Sequence, residues 1–263
     1  MDRERHHQRS DNRKPTTDNG FTNNMIPIRH TLPRRTAPIV NRALVIANVI
    51  VFLAQIFMGE RTESIINIFG FVPARLLHPA AYGYSLFEVT VTLVTSLFLH
   101  GGFVHLIGNM IYLWVFGGAV EDALGHARYA IFFVVCGAIG SLTHTLLFPH
   151  STVPSIGASG SIAGILGAFL VLRPKARIVT LLPLVVYWAM VEMRALIFLP
   201  IWFLMQFFNG FLSIAAAHRT QEVAGIAWWA HVGGFVFGAV VGAIARRSKR
   251  ERVTPYAAET EDV

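Results

Sequence analysis

Ser159 and His231 are the residues of this sequence whose types and settings could support nucleophilic catalysis. Ser159 lies in the fragment Gly157-Ala158-Ser159-Gly160, after a polar loop and at the start of an apolar stretch that ends at Leu172. A serine hydroxyl becomes an effective nucleophile when a base takes its proton, and histidine is the usual base near neutral pH. The alternatives for Ser159 are helix capping or packing. Ser161 would point about 200° away on the same helix and is interpreted as a packing residue.

His105 and Asn109 are candidates for stabilising an oxyanion. They are four residues apart, so they share one face of a predicted helix. A helix that begins at Ser159 would add free backbone N–H groups and a positive dipole end. Asn109 could instead only bridge helices. His100, His105 and His231 could also approach one another, but no cysteine or carboxylate completes a metal-binding set with them.

The elements that must position these residues are predicted to be membrane-spanning helices. The chain has 263 residues, of which 54% are hydrophobic and 14% are charged. Soluble domains have roughly 45–50% apolar and about 25% charged residues. The net charge of +7 fits a basic cytoplasmic side better than nucleic-acid binding. Cys136 is the single cysteine, which excludes an intrachain disulfide and a cysteine-based metal site.

Six apolar stretches predict membrane spans. They lie near residues 40–58, 103–120, 128–148, 159–173, 195–216 and 226–245. The stretch from Ile178 to Met193 is short and contains Pro183, so it is interpreted as an interfacial or re-entrant segment and not as a seventh span.

The basic residues predict the orientation of the six spans. Nineteen of the 22 Lys and Arg residues fall on one side, which predicts that both termini are cytoplasmic. Residues 1–38 are polar and lack an apolar core, so they are predicted to form a disordered cytoplasmic tail. Residues 39–246 are predicted to form the membrane domain, and residues 247–263 a cytoplasmic C-terminal tail.

Ser159 and His231 are predicted to lie at a similar depth in the bilayer. The fourth span reaches Arg173 after only 14 residues. This is roughly 21 Å of helix against a hydrocarbon core of about 30 Å, so Ser159 would lie roughly 10 Å below the surface. His231 follows a few residues after the start of the sixth span. Small residues at four-residue spacing predict close packing of these two spans: Gly160, Gly164, Gly234, Gly238 and Gly242.

Three motifs follow one another along the chain. They are TSLFLHGGFVHLIGNM at residues 95–110, GASG at 157–160 and AHVGGFVFG at 230–238, with FVPAR at 71–75 in the first loop. Together they resemble the motifs of the rhomboid intramembrane serine proteases, over roughly residues 40 to 245. The resemblance implies an all-α polytopic membrane protein with a six-transmembrane-helix rhomboid-type bundle.

The resemblance also implies roles for individual residues. Ser159 would be the nucleophile and His231 the general base. His105, Asn109 and the Ser159 N–H would bind the oxyanion, and His100 would be a structural or water-handling residue. A structural role is predicted for the motif glycines Gly157, Gly160, Gly234 and Gly238. The implied reaction is hydrolysis of peptide bonds in single-span membrane proteins near the non-cytoplasmic face, with no metal or organic cofactor.

Two positions depart from the family pattern. Many members carry a Trp-Arg pair where this chain has Val91-Thr92, and some stack the catalytic histidine on a tyrosine at the position of Ala163. A different function would be a catalytically silent rhomboid-like protein that binds membrane clients. Such a protein would be marked by loss of the serine or the histidine, and both are present.

The resemblance also predicts a setting for the protein. Its partners would be transmembrane protein substrates and the lipid bilayer, with no nucleic acid. Six spans without an extra targeting helix favour a bacterial cytoplasmic (inner) membrane over an organelle membrane. Substrate entry is expected beside the fifth span, near Phe203, Phe207, Phe208 and Phe211.

Overall fold

The computed structural model describes residues 26–32, 36–183, 188–220 and 227–251. Its helices are α1 Ile39–Phe57, α2 Thr62–Phe69, α3 Pro73–Leu77, α4 Leu86–Thr95, α5 Phe103–Leu124, α6 His126–Leu147, α7 Ser159–Leu172, α8 Ala195–Thr220 and α9 Trp228–Glu251. Its strands are β1 Ile26–His30, β2 Arg177–Pro183 and β3 Trp188–Arg194. The protein is a helical membrane bundle, as predicted.

Five of the described helices are long and apolar enough to cross a membrane. They are α1, α5, α6 and the greater part of α8 and α9. The sixth helix of the bundle, α7, has only 14 residues. These six helices coincide with the six predicted spans, and each boundary given by the sequence lies within a few residues of the observed one.

Helix α7 is the centre of the bundle. It packs against α5, α6, α8 and α9, and every residue from Gly160 to Phe169 is buried. A helix that is apolar on all sides is either covered by lipid or buried in the protein, and the buried residues of α7 show that its neighbours cover it. The short helix α7 therefore lies inside the bundle and not at its lipid-facing edge.

Glycines bring α7 and α9 into backbone contact. A Cβ atom added at Gly234 would collide with the carbonyl oxygen of Gly160, and one added at Gly238 would collide with the carbonyl oxygen of Gly164. No larger residue fits these positions unless the helices separate. This contact fixes where the first turn of α9 lies relative to the first turn of α7.

A buried carboxylate ties α1 to α5. Glu121 of α5 accepts hydrogen bonds from the backbone N–H groups of Val40 (2.9 Å) and Asn41 (2.8 Å) at the start of α1. The Asn41 side chain in turn accepts a 2.7 Å hydrogen bond from the Tyr129 hydroxyl of α6. The first N–H groups of a helix have no partner within the helix, so the carboxylate satisfies them.

The connection between α7 and α8 is a β-hairpin, so the predicted interfacial or re-entrant segment is not helical. β2 pairs antiparallel with β3, from Arg177 opposite Arg194 to Pro183 opposite Trp188. Ile178 and Thr180 are buried whereas their neighbours along the strand are more exposed, which is the two-residue period of a strand with one covered face. β-Branched residues favour this conformation.

The remaining strand of this sheet, β1, lies in the segment predicted to be an N-terminal tail. β1 pairs with β2, with Ile26 opposite Leu181 and His30 opposite Ile178. The prediction of disorder for residues 1–38 therefore does not describe Ile26–His30, whose backbone is paired in a sheet. Residues 1–25 of that tail and residues 252–263 of the C-terminal tail lie outside the described residues.

The long first loop, between α1 and α5, contains the short helices α2, α3 and α4. Helix α4 begins with a capping box, in which Ser85 and Glu88 each accept a hydrogen bond from the other's backbone N–H. Hydrogen bonds from the backbone and side chain of Ser85 lower the pKa of Glu88. The Arg75 guanidinium bonds to Asn67 and lies 4.7 Å from the centre of the Tyr84 ring. The loop is thus an ordered part of the fold.

Candidate active site

Ser159 and His231 are hydrogen-bonded to each other across the α7–α9 contact. Ser159 is the first residue of α7, and His231 lies in the first turn of α9. The His231 Nε2 atom is 2.8 Å from the Ser159 Oγ atom, and both residues are half-buried. This distance is within the range expected for a nucleophile and its general base. The structure therefore brings together the two residues on which the sequence prediction depends.

Gly157 shapes the turn that leads into α7. Its φ of +112° is rarely adopted by residues with a side chain. A Cβ atom at this position would lie 2.7 Å from two atoms of the His105 ring. The Gly157 N–H also donates a 2.9 Å hydrogen bond to the Ser96 carbonyl. Glycine is thus required here both by backbone conformation and by the close approach of His105.

His105 and Asn109 both lie beside Gly157, two residues before Ser159. A Cβ atom on Gly157 would be 3.4 Å from the Asn109 Nδ2 atom, in addition to its contact with His105. The two side chains thus share a face of α5 and a common neighbour, as their four-residue spacing predicts. An amide nitrogen and an imidazole near a helix N-terminus can donate hydrogen bonds to a developing oxyanion.

His100 supports Asn109. The Asn109 Nδ2 atom is 3.0 Å from the His100 Nε2 atom, and the His100 Nδ1 atom is 3.3 Å from the Phe98 carbonyl oxygen. His100 is buried, and its backbone exchanges two hydrogen bonds with the Gln55 side chain. An amide NH2 group has two hydrogens, so Asn109 can donate one to His100 and keep the other for an oxyanion.

Three neighbours of His231 were not predicted from the sequence. The Gln206 Oε1 atom of α8 is 2.8 Å from the His231 Nδ1 atom. The Trp202 and Trp228 rings lie 6.3 and 5.9 Å from the imidazole ring, measured between centroids. At the position of the family's stacking tyrosine, Ala163 is buried within α7. The sequence did indicate that Gln206 has a polar partner, since an amide in the middle of an apolar span needs one.

Two further histidines lie outside this constellation. His144 is buried on α6, where its ring centroid lies 5.1 Å from that of Phe148, whereas His150 is exposed. Within the described ranges, no group of three or more His, Cys, Asp or Glu residues could hold a metal ion. The chemistry that this site can carry out is acyl transfer by a serine and a histidine.

A family model and several known proteins match this chain. The family model of the Rhomboid domain matches residues 88–248, which is more than half of the chain. RHOMBOID-like protein 5 of Arabidopsis thaliana is 41% identical over 78 residues, covering 30% of this chain and 25% of the relative. Rhomboid protease GluP of Bacillus subtilis is 41% identical over 78 residues, covering 30% and 15%.

The relatives also include a protein named as inactive. Inactive rhomboid protein 1 of Drosophila melanogaster is 35% identical over 80 residues, covering 30% of this chain and 6% of the relative. The matches to these three relatives span a quarter or less of each relative's length. Membership therefore follows from the family model and the shared motifs: this chain belongs to the rhomboid family of multi-pass membrane proteins.

Proposed function

We propose that this protein is an intramembrane serine endopeptidase that hydrolyses single-span membrane proteins near their non-cytoplasmic end. The observation that carries the proposal is the 2.8 Å contact between the Ser159 Oγ and His231 Nε2 atoms. Family membership supports the same reading, because the similar proteins include one named as a rhomboid protease. Both catalytic groups lie at helix N-termini inside the bundle, where a substrate segment would have to leave the lipid to reach them.

The proposed reaction has two halves. His231 takes the proton of Ser159 as Oγ attacks the peptide carbonyl carbon, and the resulting oxyanion accepts hydrogen bonds from Asn109, His105 and the Ser159 N–H. His231 then gives its proton to the leaving amine, which leaves an acyl-enzyme on Ser159. Water, deprotonated by His231, hydrolyses the ester and restores both side chains. The substrate helix must unwind locally, because a helical carbonyl is hydrogen-bonded and shielded.

The decisive test uses purified protein in detergent with a fluorogenic transmembrane substrate. We expect cleavage by the wild type and none by Ser159→Ala, and a fluorophosphonate probe should label Ser159 in a manner that depends on His231. Ser161→Ala is the matched control, because that hydroxyl lies two residues further along α7, points about 200° away from Ser159 and is fully buried. Equal cleavage by wild type and Ser159→Ala would refute the proposal. Binding of the substrate without cleavage or labelling would instead favour a client-binding protein.

We further propose that both termini are cytoplasmic and that the membrane is a bacterial inner membrane. The distribution of 19 of the 22 Lys and Arg residues on one side supports this orientation. Reporter fusions after Ser248, one to alkaline phosphatase and one to green fluorescent protein, test it in bacterial cells. We expect fluorescence without phosphatase activity, and the reverse pattern would contradict the proposed orientation.

A further inference from the structure

Gln206 is a buried amide inside the largely apolar helix α8, and the mechanism above makes no use of it. Its side chain is 5% exposed, and its Oε1 atom is 2.8 Å from the His231 Nδ1 atom. On the other side of the same imidazole ring, Nε2 is 2.8 Å from the Ser159 Oγ atom. The histidine is therefore held between a hydroxyl and an amide, each at hydrogen-bonding distance.

These two contacts select one tautomer of His231. A neutral imidazole carries one N–H and one lone pair, and a carbonyl oxygen can only accept. With Gln206 Oε1 facing it, Nδ1 must carry the hydrogen, which leaves the Nε2 lone pair directed at the Ser159 hydroxyl. The opposite tautomer would place two acceptors against each other at Gln206 unless the amide turned its NH2 group toward the ring, and in either case it would point an N–H at Ser159. Only the first arrangement can remove the proton of the serine.

We propose that Gln206 is a positioning residue that holds His231 in the Nδ1-protonated tautomer and in the orientation required for proton transfer. In soluble serine proteases, a buried carboxylate holds the catalytic histidine in the required tautomer and orientation. An amide accepts the same hydrogen bond without placing a charge inside the membrane, where charge is costly. The flanking rings of Trp202 and Trp228 restrict the imidazole laterally but offer no acceptor to Nδ1.

The effect on catalysis rests on the proposed protease function, whereas the tautomer itself does not. Gln206→Met keeps a flexible side chain of similar length and removes the acceptor. By analogy with other partners that orient a functional histidine, we expect kcat to fall roughly 10- to 100-fold. KM should change little, since Gln206 contacts the histidine and not the substrate. Ser213→Ala is the matched control: Ser213 is another buried polar side chain of α8, and it bonds to the Gly210 carbonyl.

Gln206→Glu gives a readout that a purely structural role would not affect. An ionised carboxylate accepts the same hydrogen bond, so this variant should recover activity relative to Gln206→Met. Its kcat/KM should rise with a higher-pH midpoint than that of the wild type, because a carboxylate beside Nδ1 favours the protonated imidazole and His231 acts as a base only when neutral. A kcat of Gln206→Met equal to that of wild type, or identical pH profiles for Gln206→Glu and wild type, would overturn the proposal. If Gln206→Met does not fold, Gln206→Glu decides.

The tautomer is measured independently of activity by long-range ¹H–¹⁵N spectra of ¹⁵N-histidine-labelled protein in detergent. The His231 signals are identified by their loss in His231→Gln. We expect an Nδ1-protonated ring in the wild type and in Ser213→Ala, and a mixture of tautomers in Gln206→Met. An Nε2-protonated ring in the wild type would refute the proposal. Failure of the protease function would appear differently, as the expected tautomer in a protein without Ser159-dependent cleavage.

Discussion

At the scale of single residues, Gly157 has little freedom to change, because both its backbone conformation and its surroundings require glycine. In Gly157→Ala the alanine backbone must adopt a φ of +112°. Its methyl group must also occupy space close to the His105 ring. Backbone strain of this kind costs about 1–3 kcal/mol, so we expect a lower free energy of unfolding and slower fluorophosphonate labelling of Ser159. The control is Gly102→Ala, because Gly102 has an extended backbone and no atom lies within 4 Å of an added Cβ. Equal effects of both substitutions would contradict this account.

Asn109 offers a second prediction at the residue scale. Its amide is held by His100 at 3.0 Å beside Gly157, where an oxyanion formed at Ser159 would be within reach. Asn109→Ala should lower kcat by roughly 10²- to 10³-fold, the usual effect of losing one oxyanion donor. KM should be nearly unchanged, which steady-state kinetics with the fluorogenic substrate will show. Asn48→Ala is the control, since Asn48 is a buried amide that bonds only within α1, to the Leu44 carbonyl.

The residues of the candidate site differ in how far the sequence could predict them. Ser159, His231, His105 and Asn109 lie in short motifs whose spacing already places them at helix starts or on one helix face. Gln206 lies outside every motif, and its role depends on how α8 packs beside α9. That relation is set by tertiary contacts, so local sequence indicates only that the amide requires some partner.

At the scale of elements, the α7–α9 contact links packing to the dyad. A Cβ atom at Gly238 would collide with the Gly164 carbonyl, whereas the nearest atom to one at Gly160 is 3.6 Å away, an ordinary contact distance. Gly238→Ala should therefore lower the free energy of unfolding by about 1–3 kcal/mol, as overpacking does, and Gly160→Ala should lower it less. Chemical unfolding in mixed micelles measures both. A larger loss for Gly160→Ala would show that the helices are not in contact as described.

The β-sheet is the part of the fold that was not predicted from the sequence. The six helices were found because long apolar runs must satisfy their backbone internally in a membrane. The segment from Ile178 to Met193 was apolar but too short to span, and its β-branched residues were not given weight. β1 could not have been found locally, because its partner β2 lies about 150 residues away along the chain.

At the scale of the whole molecule, the proposed catalytic residues of α5 and the residue of α5 that anchors α1 lie at opposite ends of that helix. His105 and Asn109 lie near one end of this helix and Glu121 near the other, roughly 24 Å from His105 and roughly 18 Å from Asn109 at about 1.5 Å per residue. The two ends share no polar partner among the described residues. Substitutions at the Glu121 end should therefore change stability without changing the chemical step.

Glu121→Gln tests this separation. The substitution keeps the shape of the side chain but replaces one acceptor oxygen by an NH2 group, which would face the N–H group of Val40 or Asn41. Leaving a buried donor without an acceptor costs about 1–3 kcal/mol, so the unfolding midpoint should fall while kcat of the folded protein stays the same. Glu192→Gln is the control, since its 3.1 Å pair with Arg177 lies at the surface, where such pairs contribute little. A loss of kcat in Glu121→Gln at a temperature where the protein is folded would show that the anchor of α1 and the catalytic end are coupled through α5.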